Sequence, residues 1–256
     1  MRLASARHSF LPGGSMYRHV SVESDADRRD LLKTGHRSMM ADVAFRPAAT
    51  EQEVREGRRV HARAYAAAGY TDTCEDGLIT DEWVPSSTYF VAVSRSSIVG
   101  VSRTIRTEDP ASLPVLRLLE VDASWRRRLE ALAGTQVVEV SALAVDEEMR
   151  KQSRAISAGL YRCMYQNSLG DTEQRWWLAM ADVRLYRTLT SVFGLNLQPM
   201  GDAQFYKGSN CLPCALDLHA STLHKQVLST DVLAWFTDGL EQEHWQVPQL
   251  ADPKPS

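Results

Sequence analysis

The chain has 256 residues, a net charge of −3, 44% apolar and 24% charged side chains, an ordinary globular composition long enough for one domain with extensions. No apolar run approaches the roughly 18 residues of a membrane span, and residues 1–15 lack the continuous apolar core of a secretion signal, so a cytoplasmic protein is expected. The charge balance excludes a general nucleic-acid binder and leaves local clusters, such as Arg126 to Arg128, to meet an acidic partner.

Residues 1–40 show weak periodicity around Pro12 to Gly14, with one short helix predicted near Asp25 to Leu32, and read as a peripheral extension. From Asp42 the pattern sharpens. D-V-A-F-R-P-A predicts a short strand, and Thr50 with Glu53 forms a capping box that opens a helix running to about Ala68 and ended by Gly69. A long connection from Tyr70 to Ser87, rich in acidic and turn residues, has the length of a functional loop or lid. The segments Thr88–Ser94 and Ser97–Arg106 predict a hairpin closed by Arg95 and Ser96. Asp109 to Pro114 reads as a turn and Ala123 to Ala133 as a short helix. The strand V-V-E-V-S-A-L-A-V from Val137, the basic turn R-K-Q-S-R from Arg150 and an apolar helix follow. R-W-W-L-A-M-A predicts a buried strand, Asp182 caps a helix to Phe193 with Gly194 at its end, and Phe205 to His219 supplies strands broken by Gly208 and Pro213. Residues 41–220 thus form the core, and residues 221–256 an amphipathic helix and a disordered tail. Strand, helix, hairpin, strand, helix, strand, helix, strands is the order of an α/β mixed sheet with helices on both faces.

The chemistry is concentrated between Val137 and Tyr165. A strand that delivers one carboxylate, Glu139, followed by a basic turn at a helix N-terminus, can hold a phosphate-bearing acyl carrier beside a base. A buried, unpaired Glu costs several kcal/mol, on the order of 2–7 for an uncompensated polar group, so Glu139 is either a working base or a structural partner, for example of Arg103. Of the four cysteines only Cys211 and Cys214 form a C-x-x-C pair. Their nearest candidate co-ligands are His219 and His224, and the pair leads into an alternating strand, so buried thiols are expected rather than a metal or redox site.

The series H-A-R-A-Y-A-A-A-G-Y, E-D-G-L-I-T-D-E-W, S-T-Y-F-V-A-V, G-V-S-R-T-I-R-T and V-E-V-S-A-L-A-V resembles the GNAT acyltransferase superfamily. Within it the chain is similar to two branches, the LuxI-type acyl-homoserine-lactone synthases and the FeeM-type N-acyl amino acid synthases. The likeness runs from about Asp42 to Leu218. The LuxI pattern has an Arg where this chain has Ala142 and a second Asp where it has Val84, so the amino acid synthase branch fits better. An Arg common in the family four residues before the helix aromatic Tyr65 is His61 here.

The resemblance implies a GNAT-like fold and an N-acyltransferase that moves a long-chain fatty acyl group from acyl carrier protein to the amino group of an amino acid. Glu139 is the implied base, acting directly or through a water, and a backbone N–H from Ser141 to Leu143, with Leu143 the choice, is the implied oxyanion donor. The turn R-K-Q-S-R-A has no glycine before Gly159. It therefore suits the single phosphate of a phosphopantetheine arm better than the pyrophosphate of CoA, with Arg150, Lys151 and Arg154 docking the carrier. Asp81 and Trp83 are implied at the acceptor, Arg103 at its carboxylate, and Trp177 along the acyl chain or simply in the core. Tyr186 is a weak candidate for the leaving-group acid, because the GNAT Tyr position is Thr190 here. No cofactor beyond the acyl donor and no metal is implied. A lactone-type synthase, an acyl-CoA-dependent N-acetyltransferase and an inactive GNAT-like binding module remain as alternatives.

Overall fold

The computed structural model describes residues 43–70, 77–191 and 195–223, together with Phe236 and Asp238. The expected N-terminal extension, Cys74, Gly194, His224, nearly all of the expected C-terminal helix and the tail lie outside the described residues. The elements in order are β1 (Val43–Pro47), α1 (Glu51–Ala67), β2 (Ser87–Ser94), β3 (Ser97–Ile105), α2 (Pro114–Leu118) and α3 (Ala123–Glu130). They continue with β4 (Val137–Val145), α4 (Ser153–Leu169), β5 (Trp176–Asp182), α5 (Val183–Ser191), β6 (Gln198–Pro199), β7 (Gln204–Tyr206), β8 (Ser209–Asp217) and α6 (Leu218–Leu223).

Local chemistry sets the first units. Thr50 Oγ1 accepts from Glu53 N at 3.2 Å, and the Glu53 carboxylate reaches back to Ala49 N at 2.7 Å while pairing with Arg46, so α1 starts where two orphan donors are satisfied. Arg95 and Ser96 both adopt positive φ, 46° and 70°, the primed turn whose twist matches a β-hairpin. The hairpin of β2 and β3 is part of one mixed sheet in the order β1-β2-β3-β4-β5-β8-β6, with β7 paired to β8. The β4–β5 pair is parallel and the other pairs are antiparallel.

Helices cover both faces. On one, α4 sets Ile156, Leu160 and Met164 against Phe90, Ala92 and Val138. A Cβ at Gly159 would stand 2.3 Å from the Phe45 ring, so only glycine lets α4 approach β1 this closely. On the other face α1 packs Val60 against Tyr89, Val101 and Ala144. Further along the same face, α2 and α3 bury Val115, Leu116 and Leu129 on Ile105, Val137 and Trp176.

Two features of β4 depart from regular pairing. Val101 opposes Ala144 while Arg103 opposes Ser141, so between these pairs two residues of β4, Ala142 and Leu143, stand against one of β3, Ser102. The extra residue is a bulge, and Ala142 within it has φ +57°. Side chains alternate along a strand, so one inserted residue moves Leu143 and Val145 to the α4 face and Ala144 to the α1 face. The ladder to β5, meanwhile, covers only Val137 to Glu139 against Trp176 to Leu178, although both strands run on. One expectation is corrected at Pro213, which does not break a strand. It lies inside β8 opposite Met180, and its carbonyl accepts from Met200 N at 2.9 Å, so only its missing donor is lost to the ladder.

Candidate active site

Between the two apolar patches on the α1 face lies a polar seam. Arg103 and Glu139 alternate with Val101, Ile105 and Val137, and Ser141 stands opposite Arg103. The sheet thus presents a cation, a carboxyl and a hydroxyl along adjacent strands, where the covering elements change from α1 to α2.

Glu139 is fully buried. Its Oε2 accepts from Val115 N, in the first turn of α2, at 2.7 Å, while Oε1 has no hydrogen-bond partner. Burial pushes its acidity up to about 8, against the opposing pull of the Val115 N–H and of Arg103. The carboxyl is therefore held by one oxygen and left with proton-accepting capacity at the other.

Arg103, 5% exposed, pairs with Asp81 rather than with Glu139. Nη2 meets Oδ2 at 2.6 Å and Nη1 meets Oδ1 at 3.1 Å, leaving Nε without a partner. The guanidinium fork expected to meet an acceptor carboxylate is filled by Asp81. Burial raises the Asp81 carboxyl, but the Arg103 hydrogen bonds and charge outweigh it and the net shift is downward. Asp81 also accepts from Trp83 N at 3.0 Å, and Trp83 Nε1 donates to the Ser112 carbonyl at 2.9 Å. Arg58 of α1 pins the same segment through Ile79 O and Thr80 Oγ1. The connection after α1 is thus tied to the sheet, to α1 and to the chain before α2, and it brings Asp81 and Trp83 to the seam.

His61 on α1 is a further polar group beside this seam, one that the sequence reading left without a role. It is buried, its Nε2 has no partner, and burial with the nearby Arg103 charge pushes its pKa down to about 3. A neutral imidazole, a guanidinium Nε and a carboxyl oxygen, all buried and all unpaired, fall on one face. Each unsatisfied group costs about 1–3 kcal/mol, a cost that a hydrogen-bonding occupant would offset.

The remaining expected residues divide by face. Leu143 is half-buried toward α4. Trp177 lies on that side as well, donating from Nε1 to Ser168 Oγ at 2.8 Å and stacking edge-on with Tyr165. Trp176 takes the Glu139 side, against Trp125 and under the Arg128 guanidinium. Arg150, Lys151 and Arg154 are exposed at the 3-10 turn and first turn of α4. Tyr186 Oη donates to the Leu197 carbonyl at 3.1 Å, and Thr190 Oγ1 bonds back to carbonyls of its own helix. Cys211 and Cys214 are buried on opposite faces of β8, and burial drives the Cys214 thiol up to about 12.

A mixed sheet with one parallel pair parting at its centre, a bulged strand beside the gap and a buried carboxyl on that strand define a GNAT-like acyltransferase. Residues 56–218 match the family described as N-acyl amino acid synthase FeeM, and the chain belongs to that family. The structure of FeeM, an N-acyl amino acid synthase from uncultured soil microbes, shares 19% identity at a TM-score of 0.51, covering 71% of this chain and 95% of that one. The acyl-homoserine-lactone synthase LasI aligns at 14% identity and a TM-score of 0.56 over 73% of this chain and 93% of its own. BjaI, a CoA-dependent acyl-homoserine lactone synthase solved with SAM and isopentyl-CoA, aligns at 17% and 0.56 over 75% and 88%. These likenesses show a shared fold. Comparison with curated proteins finds no match. Among the described residues no helix is long and apolar enough to cross a membrane.

Proposed function

We propose that the protein transfers a long-chain fatty acyl group from the phosphopantetheine arm of acyl carrier protein to the amino group of an amino acid. The observation that carries this reading is Glu139: buried, anchored through one oxygen to Val115 N, open at the other and poised near pH 8. As the N–C bond forms and the thioester C–S bond breaks, the carboxylate takes the proton that the amine sheds. It then hands that proton to the departing thiolate, whose ordinary pKa of about 8.5 requires no stronger acid.

The other roles follow from placement. The bulge at Ala142 interrupts the ladder where a backbone N–H from Ser141 to Leu143 would meet the carbonyl oxygen of the thioester. The acyl-pantetheine threads between β4 and β5 past their paired stretch, with Leu143 and Trp177 on the α4 side of the chain. Asp81, Trp83 and Arg103 wall the acceptor side, and Arg150, Lys151 and Arg154 meet the acidic carrier. The test is to incubate the purified protein with decanoyl-acyl carrier protein or decanoyl-CoA and the twenty amino acids, and to identify products by mass spectrometry. An N-decanoyl amino acid formed faster from the carrier protein is expected, with kcat lowered about 10²–10⁴-fold by Glu139→Gln. Equal rates for Glu139→Gln and wild type would remove Glu139 from the chemistry.

A further inference from the structure

An amino acid brings a carboxylate into the site, and a desolvated carboxylate needs a cation or several donors. Arg103 does not offer a free fork, because Asp81 holds both of its terminal nitrogens and the pair is neutral as a unit. The missing positive charge comes from the hairpin of β7 and β8. Tyr206 and Ser209 pair across the two-residue turn Lys207–Gly208, with φ +43° and +82°. Gly208 suits that conformation, whereas a side-chain-bearing residue such as Lys207 is held there at a cost of about 1–2 kcal/mol.

The hairpin tip lies against the end of α1. A Cβ at Gly208 would stand 3.0 Å from the Gly69 carbonyl oxygen and 3.7 Å from the Tyr70 ring. From Tyr70 a row of edge-to-face rings runs inward, 5.6 Å to Tyr65 and then 4.1 Å to His61. At its inner end stands the unpaired, buried His61 Nε2. At its outer end the Lys207 ammonium rests over the Tyr206 ring, 5.5 Å from the centroid, on a flexible four-carbon stem. No carboxylate among the described residues pairs with it. The charges of Arg103, Asp81 and Lys207 all bear on His61, so the tip and the seam belong to one electrostatic neighbourhood.

We infer that Lys207 is the residue that recognises the carboxylate of the acceptor amino acid. The acceptor sits against the His61–Tyr65–Tyr70 wall, its carboxylate met by the Lys207 ammonium as the flexible lysine stem reaches inward from the hairpin tip, and its amine, on the same α-carbon, turned toward the seam and joined to Glu139 through water. This rests on the reading of the chain as an N-acyl amino acid synthase and assigns that function its specificity. The test compares the best amino acid acceptor with its methyl ester, using decanoyl-acyl carrier protein and the full chain. Wild type prefers the acid by tenfold or more in kcat/KM. Lys207→Gln loses that preference through KM, keeps the ester's rate and unfolds at the wild-type temperature, whereas Lys207→Arg retains the preference. A preference that survives in Lys207→Gln, or a wild type that acylates ester and acid alike, overturns the assignment and leaves acyl transfer standing. A wild type that acylates no amino acid overturns the parent reading and this inference with it.

Discussion

One buried carboxyl group ties the stability of this fold to alkaline pH. Glu139 has a folded pKa of about 8 against an ordinary 4.5, so the folded state binds its proton more tightly than the unfolded state does. Stability from this group is complete below about pH 4.5 and is lost as pH rises through 8. Glu139→Gln keeps an oxygen for the Val115 N–H and cannot ionise. It is therefore expected to melt several degrees above wild type at pH 8.5 and to match it near pH 4.5, at about 2–4 °C per kcal/mol for a chain of this size. Circular dichroism melts across that range check the sign, and a variant less stable at pH 8.5 would contradict the buried-carboxyl account. On the proposed role of Glu139 as the base, the same ionisation governs turnover in the opposite direction. Only the carboxylate accepts a proton, so kcat/KM rises with pH to a break near 8, a break absent from Glu139→Gln, where only the acceptor amine titrates. On that proposal, the group that weakens the fold at alkaline pH is also the one that works there.

At the scale of elements, the β4 bulge decides which side chains reach the site. Without the extra residue at Ala142, every position beyond it would exchange faces, moving Ala144 away from α1 and Leu143 away from α4. Ala142 is nearly buried and sits at φ +57°, a conformation that a β-branched residue resists strongly. Ala142→Val is expected to lower stability by about 2 kcal/mol or more in urea unfolding, combining that resistance with crowding in a packed region; an unchanged midpoint would mean that the bulge relaxes freely. Strands and helices were legible because their signals are local: the Thr50 cap, the Arg95–Ser96 turn and the apolar runs of β2 and β4 each lie within a few residues. The bulge was not, since Ala142 is no glycine and nothing nearby marks a positive φ. Glu139 stood out as a lone carboxylate in an apolar strand, but its anchor, Val115 N, is backbone and carries no sequence signal. Asp81 and Arg103 were both singled out, yet their pairing was not, because it depends on how a connection 22 residues upstream in sequence folds back onto β3. Pro213 misled because its carbonyl still serves the sheet.

At the scale of the molecule, the polar seam and the basic turn lie at different places on the sheet, and on the proposed function that separation makes donor and acceptor recognition independently testable. Asp146, whose side chain caps the turn after β4, is paired with Arg63 of α1 at 2.5 Å. The turn therefore presents Arg150, Lys151 and Arg154 with that carboxylate already neutralised, and none of the three pairs with a carboxylate among the described residues. Exposed charges of this kind act mainly on encounter with an oppositely charged partner and are screened within about 10 Å at 0.1 M salt. Replacing all three by Gln is expected to raise KM for decanoyl-acyl carrier protein tenfold or more at low salt. It should leave KM for the small donor decanoyl-pantetheine unchanged, since no acidic protein surface is then involved, and the difference from wild type should shrink as salt is raised to 0.5 M. An equal loss on both donors would place the three side chains at the thioester itself rather than at the carrier. No loss on either would mean that the carrier approaches over another surface, with the cluster at Arg126 to Arg128 next in line for the same substitution.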